Sequence, residues 1–257
     1  MKLLCPICGS PLKNVERAAV CENGHSYDYA RQGYLNLYLK QSVDHGDNKA
    51  MVQARTGFLS TGSYSFLKQR LVELIASVKP EVLVDLGCGE GWYTRDLPAC
   101  EKYGFDLSKE ALKHAARLDP GTQYAVASIF HLPLPDTCAD AVLTCFAPAA
   151  EEEIVRILRT GGYFFFVTPG PDHLMEMKKV LYEVPYQNEL KDLTIQMKLI
   201  HTETIAHPFH VNQENLMNLF EMTPYAHRTP AEAIERLRKM DGMDLTAQFV
   251  IRTYQKS

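Results

Sequence analysis

The residue types best able to do chemistry gather in two places along the chain. In the first, Cys5, Cys8, Cys21 and His25 stand as Cys-x2-Cys-x12-Cys-x3-His. Zinc takes four soft or borderline donors in a tetrahedron, and two cysteines separated by two residues can wrap one ion from a single tight turn. Pro6 sets the first turn and Gly9 follows it, while Asn23-Gly24 supplies a turn inside the second pair. Four protein donors close the site, so the expected zinc is structural or recognitional rather than catalytic. In the second place, Val84-Asp85-Leu86-Gly87-Cys88-Gly89-Glu90-Gly91 brings three alternate glycines to the end of an apolar run, with an acid preceding them. Such a turn lets backbone approach a ligand at the carboxyl end of a strand. Asp106 ends the next apolar run, where an acid can accept hydrogen bonds from both ribose hydroxyls of a nucleoside. The spacing is Gly-x-Gly-x-Gly, so the third glycine stands one residue too early for a dinucleotide pyrophosphate.

These groups need elements to hold them. A strand between Val15 and Val20 would join the two cysteine turns into a ribbon. So short a segment has little apolar surface, and the metal is expected to serve as its core. After a helical stretch at Ser65–Val78 and a break at Pro80, apolar runs at Val82–Leu86, Tyr103–Phe105, Tyr124–Ala127, Ala141–Phe146 and Tyr163–Val167 read as strands. Helix-compatible stretches at Lys109–Leu118 and Ala150–Leu158 lie between them. This alternation predicts an α/β fold, a doubly wound parallel sheet with helices on both faces. A helix at His173–Tyr182, a strand at Leu199–His207, a helix at Gln213–Phe220 and a strand at Ala247–Tyr254 are expected beyond it. The resulting division is a ribbon over 1–36, a mostly helical connector over 37–79 and a large domain over 80–257.

Composition bounds the function classes. The chain has 257 residues, 46% hydrophobic and 23% charged, with a net charge of −4. No run is long enough to span a bilayer, and the first residues lack a signal-peptide core. Seven cysteines are an odd number, against a disulfide framework, so a reducing cytoplasm is the expected home. Cys88, Cys100, Cys138 and Cys145 share no ligand spacing and read as reduced packing residues. The charge is uneven: residues 1–70 carry +4 and residues 71–257 carry −8. A polyanion would meet the front first, with Lys13, Arg17, Arg31, Lys49 and Arg55 as candidate phosphate contacts.

The glycine turn, the acid before it and Asp106 together resemble the class I S-adenosylmethionine-dependent methyltransferases over most of residues 80–257. That resemblance implies S-adenosylmethionine as cofactor. Asp85, Gly87, Gly89 and Gly91 would shape the methionine end, Asp106 would hold the ribose, and Leu107 and Ser128 would flank the adenine. With the zinc ribbon in front, nearly the whole chain resembles the bacterial 23S ribosomal RNA guanine-N1 methyltransferases. The matching stretches are the cysteine turns, Gly33–Leu37, Gly46-Asp47, Met51–Arg55, Phe58-Leu59, Gly62-x-Tyr64, Gly87–Thr94, Phe146–Pro148, Thr168–Pro171 and His173–Glu176. In that family Tyr64, Tyr93, Thr94 and His173 match positions near the cofactor, the ribbon helps bind RNA, and the protein is a homodimer.

The implied reaction is methyl transfer to a guanine N1 in a hairpin loop, whose splayed bases can enter a pocket and stack on an aromatic. Phe146 and Pro148 are the candidates for positioning that acceptor, with Trp92 or Tyr93 as further stacking partners. His173, Glu151, Glu152 and Glu153 are candidate bases for the N1 proton. Ala149 follows Ala147-Pro148, so no thiol stands there and direct transfer is the simpler route. Two other readings stay open: a small-molecule or protein methyltransferase with a purely structural ribbon, and a non-catalytic RNA-binding module on a methyltransferase fold.

Overall fold

The computed structural model describes residues 2–40, 47–190, 192–227 and 229–257. Gly46, part of one expected motif, lies outside the described residues. The first region is a three-stranded antiparallel sheet of β1 (Lys13–Val15), β2 (Ala18–Val20) and β3 (Ser26–Asp28). The single strand expected over Val15–Val20 is instead a hairpin, because Glu16 takes a left-handed conformation, φ 52°, and reverses the chain at Glu16-Arg17. β4 (Leu35–Asn36) then pairs parallel to a strand of the large sheet, so the front segment is stitched to the rest before residue 37.

Two helices follow. α1 (Lys49–Ser60) starts at Asn48, whose side chain accepts from the Met51 N–H. α2 (Ser65–Val78) buries Leu67, Leu71 and Ile75 at four-residue spacing on one face. It ends at a left-handed Lys79 ahead of Pro80. The large domain continues with β5 (Val82–Leu86), β6 (Glu101–Asp106), α3 (Lys109–Leu118), β7 (Thr122–Val126), β8 (Ala139–Cys145), α4 (Glu151–Ile157) and β9 (Leu158–Pro169). Last come α5 (Met175–Leu181), β10 (Lys198–Asn212), α6 (Gln213–Glu221), α7 (Ala231–Arg238) and β11 (Gly242–Gln255).

The eight-stranded sheet has the order β10-β11-β9-β8-β5-β6-β7-β4. Strands β4 to β9 run parallel, while β11 is antiparallel to β9 and β10 to β11. β5 is buried at all five positions, as a strand covered on both faces must be. Alternate residues go to opposite sides: Val82, Val84 and Leu86 to one core, Leu83 to the other. The second core is closed by α2, α5, α6 and α7.

The first core is covered differently. Residues 127–138 between β7 and β8 contain no helix, and Leu3, Leu12, Ala19 and Tyr27 of the ribbon share one core with Val84, Phe105 and Val142 instead. Ile154 and Ile157 of α4 complete that face, with Leu193, Ile195 and Met197 packed at its edge. The expectation that the metal alone forms the ribbon's core is therefore corrected, because the ribbon's apolar residues share the core of the large sheet. Among the described residues no helix is long and apolar enough to cross a membrane.

Candidate metal centre and cofactor cleft

Local hairpin geometry brings the first donor set together. The donor atoms of Cys5, Cys8, Cys21 and His25 all lie within 4.8 Å of one another. Cys8 Sγ and Cys21 Sγ are 3.7 Å apart, and His25 Nδ1 is 3.5 Å from Cys5 Sγ and 3.4 Å from Cys21 Sγ. Zinc with bonds of about 2.3 Å to sulfur and about 2.0 Å to nitrogen requires edges of about 3.8 and 3.5 Å in a tetrahedron, so the donor set fits it. The Tyr27 hydroxyl, 3.2 Å from Cys5 Sγ, is placed to donate to the thiolate and orient it. Spacing alone could not point to Tyr27, since its value depends on the strand that carries it.

The second site lies at the carboxyl ends of β5, β6 and β8. Gly87, Gly89 and Gly91 all have positive φ, and a Cβ on Gly87 would come within 2.4 Å of the Ala147 Cβ. Asp106 holds this turn from the neighbouring strand: Oδ2 accepts the Gly89 N–H at 2.8 Å and Oδ1 the Ser108 N–H at 2.7 Å. Each oxygen retains acceptor capacity for a ribose hydroxyl. Burial raises the Asp106 carboxyl above its ordinary range, against those N–H bonds and the nearby Arg55.

Asp85 is buried beneath the turn. Its Oδ2 accepts the Thr94 hydroxyl at 2.6 Å, while Oδ1 has no partner. Burial, reinforced by Asp106, pushes its carboxyl up to about 7. The Tyr93 hydroxyl and Thr144 Oγ1 are also buried without partners. Orphaned acceptors and donors of this kind suit a polar ligand with a cationic end. The turn runs into a 3-10 segment at Thr94–Asp96 instead of a full helix, which leaves little helix N-terminus for a pyrophosphate.

Aromatic side chains wall the cleft. Tyr93 lies 6.2 Å from Phe146 between ring centroids, Phe146 5.1 Å from Phe249, and Phe249 5.0 Å from Tyr64. Phe146 is 41% exposed and takes φ 61°, a left-handed conformation that costs a bulky residue about 1–3 kcal/mol. It follows β8 directly, with part of its side chain open to solvent. Pro148 is exposed two residues on. Leu107 is half-buried beside Asp106, and Ser128 Oγ accepts the Phe130 N–H at 3.3 Å.

His173 Nδ1 accepts the Gln248 N–H at 3.1 Å, which assigns the proton to Nε2, 3.3 Å from the buried Tyr64 hydroxyl. Burial, then Lys178, lowers the His173 pKa to about 3. With both nitrogens engaged, this histidine is a neutral strut and a poor proton acceptor. Two acids of α4 are also occupied. Glu153 holds Arg156 and the Leu132 N–H, Glu151 accepts the Thr194 hydroxyl, and Glu152 is exposed.

Of the basic front residues, Lys13, Arg17, Arg31 and Lys49 face solvent, whereas Arg55 does not. It turns inward over Gly89 and forms an ion pair with Asp47. Its expected place among surface phosphate contacts is thereby corrected. Glu90, unremarked in the sequence, is buried and accepts the Thr56 hydroxyl at 2.5 Å.

A mostly parallel sheet in this order with an antiparallel edge, an acid-supported glycine turn and a closed Cys/His donor set define a class I S-adenosylmethionine-dependent methyltransferase carrying a zinc ribbon. Residues 84–166 match the family described as "Methyltransferase domain", and residues 3–41 match "RlmA, N-terminal". A "23S rRNA (guanine(748)-N(1))-methyltransferase" of Streptomyces fradiae is 33% identical, covering 94% of this chain and 91% of that one. A Micromonospora griseorubida relative, provisionally named a 23S rRNA guanine-N1 methyltransferase, is 30% identical over 98% of this chain and 97% of its own. The chain belongs to the 23S ribosomal RNA guanine-N1 methyltransferase family. Among solved structures, the YcgJ protein of Bacillus subtilis matches 72% of this chain and 97% of its own at 14% identity with a TM-score of 0.52, a likeness of fold alone.

Proposed function

We propose that this chain transfers the methyl group of S-adenosylmethionine to N1 of a guanine in a hairpin loop of 23S ribosomal RNA. The carrying observation is that ribbon and cleft form one body on one sheet, and that relatives named for this reaction match across both. The cofactor supplies a methyl already activated on a sulfonium. Asp85 Oδ1 would accept from its ammonium group, Asp106 from its ribose hydroxyls, and Leu107 and Ser128 would border its adenine. Tyr64, Tyr93, Thr94 and His173 shape the methyl end, Thr94 through its bond to Asp85 and His173 through Tyr64. Phe146 and Pro148 face the acceptor, whose ring stacks on Phe146 beside Tyr93.

Holding donor and acceptor in near-attack geometry can supply about 7–11 kcal/mol of a barrier. With His173 and Glu153 both occupied, the N1 proton leaves to solvent water, and positioning of the guanine is the chief contribution of these side chains. We extend to this chain the family's expectation of a cytoplasmic homodimer, which light scattering would test.

The test of the reaction is methylation of ribosomal RNA from a strain lacking the protein, mapped by primer extension. N1 methylation blocks pairing, so a new stop at a loop guanine is expected. A mark on another atom or outside 23S RNA overturns the assignment. Labelled methyl on a protein or small molecule, with none on RNA, supports a purely structural ribbon instead.

A further inference from the structure

The helix between ribbon and catalytic sheet reaches the cofactor cleft. Three contacts hold it there: the Ser108 hydroxyl donates to the Asp47 carbonyl at 2.6 Å, Thr56 donates to Glu90, and Gly57 packs on Asn218, leaving a Cβ only 2.8 Å from its Nδ2. Ser108 follows Asp106 and Glu90 follows Gly89, so α1 is fastened to both cofactor loops. Held this way, α1 places Arg55 Nη1 3.7 Å from where a Gly89 Cβ would stand. The Arg55 side chain is only 24% exposed, and the charges around it are Asp47, Glu90 and Asp106.

We propose that Arg55 receives the carboxylate of the cofactor's methionine half. This rests on the reading of the cleft as an S-adenosylmethionine site. That half of the ligand ends in one ammonium and one carboxylate. The free oxygen of Asp85 suits the first and repels the second, so the carboxylate needs a cation elsewhere along the turn. A guanidinium presents a planar fork matched to a carboxylate, and Asp47 already occupies part of it. Its five donors leave room for a second carboxylate beside Asp47. The missing side chain at Gly89 opens the space between guanidinium and turn.

Two ligands separate this role from others. S-adenosylhomocysteine has the amino-acid half, and 5′-methylthioadenosine has the adenosine half without it. In calorimetric titration of the whole protein, Arg55→Met weakens S-adenosylhomocysteine by about tenfold to a hundredfold, the usual loss for a charge-assisted pair. Its affinity for methylthioadenosine stays at the wild-type value, and Arg55→Lys recovers part of the loss. Equal weakening of both ligands overturns the proposal, because Arg55 would then act by ordering Asp106 and the turn. Unchanged affinity for both with a raised KM for RNA also overturns it and restores a phosphate contact. Failure of the wild-type protein to bind S-adenosylhomocysteine breaks the cofactor reading itself and is told apart by the wild-type titration alone.

Discussion

The metal centre and the cofactor cleft are built by opposite means. At the metal centre, four donors within 4.8 Å face one another and come from two turns that close inside residues 5–25. At the cleft, the polar groups are delivered by separate strands and a connector helix, and three buried oxygens lack partners. The first is a closed polyhedron that one ion completes. The second is an open cradle whose parts are strained or unsatisfied, as binding sites tend to be. Rigid local geometry can thus be written in a short stretch of chain, whereas a ligand cleft needs the whole topology.

Metal removal tests the strongest side of that contrast. Because Leu3, Leu12 and Tyr27 seal one face of the large sheet, losing the ion exposes the catalytic core as well as the ribbon. Structural zinc contributes about 10 kcal/mol or more, against a typical whole-protein stability of about 5–15 kcal/mol. Chelation, or Cys5→Ser with Cys8→Ser, is expected to lower the single melting transition of the entire protein in circular dichroism. A catalytic domain that melts as before would mean the two regions are independent.

In the cleft, Asp85→Asn removes the charge offered to the ammonium. Cofactor affinity should fall by about a hundredfold, in line with about 3 kcal/mol for a buried charged hydrogen bond. The pH dependence has a definite sign. Burial raises the Asp85 carboxyl to about 7, so below that pH the free protein holds a proton that cofactor binding must expel. Affinity should drop by about tenfold per pH unit below 7 and level off above it. Calorimetry in buffers of different ionisation enthalpy should detect the released proton. A flat profile in the wild type would show that Asp85 is ionised throughout.

Gly87→Ala probes the turn itself. Its Cβ would lie 2.4 Å from the Ala147 Cβ at a backbone φ of 73°. A cost of about 3 kcal/mol is expected in urea unfolding, from overpacking and left-handed strain together. Adding Ala147→Gly should return only the overpacking share. The smallest effect on stability is expected at Phe146. Phe146→Gly relieves its left-handed strain while losing the ring, so stability should stay within about 1 kcal/mol of wild type. Methyl transfer to RNA should nonetheless fall steeply while cofactor affinity holds. Loss of stability with intact transfer would make Phe146 a packing residue.

What could be read beforehand follows the same division. The zinc donors, the glycine turn and the order of parallel strands rest on short-range spacing and on continuous apolar runs. β10 and β11 are far longer than the apolar runs suggested, because the outer strand β10 is mostly exposed and carries polar residues that hide its period. α5 begins at Met175 instead of His173, since Leu174 at φ 54° breaks the helix start. α7, rich in charge, left no strong apolar stripe to read. Arg55 was legible as a charge but not as a half-buried one, since Gly89, Glu90 and Asp106 around it come from the turn after β5 and from the end of β6. The docking of ribbon on sheet was invisible for the same reason: Tyr27 and Val142 belong to one core although more than a hundred residues of chain lie between them.

The seam formed by β4 also bears on how the molecule comes into being. A ribosome releases this chain from its amino end at about 5–20 residues per second. Both metal turns have been made by His25, yet β7, the partner of β4, ends at Val126, and the apolar core that takes up Leu3 and Tyr27 extends to Tyr254. For several seconds of synthesis the nascent ribbon can hold its ion while its greasy side has no cover. An ion bound at that stage would act as an early clasp, keeping the front in docking shape until the sheet it belongs to has been made.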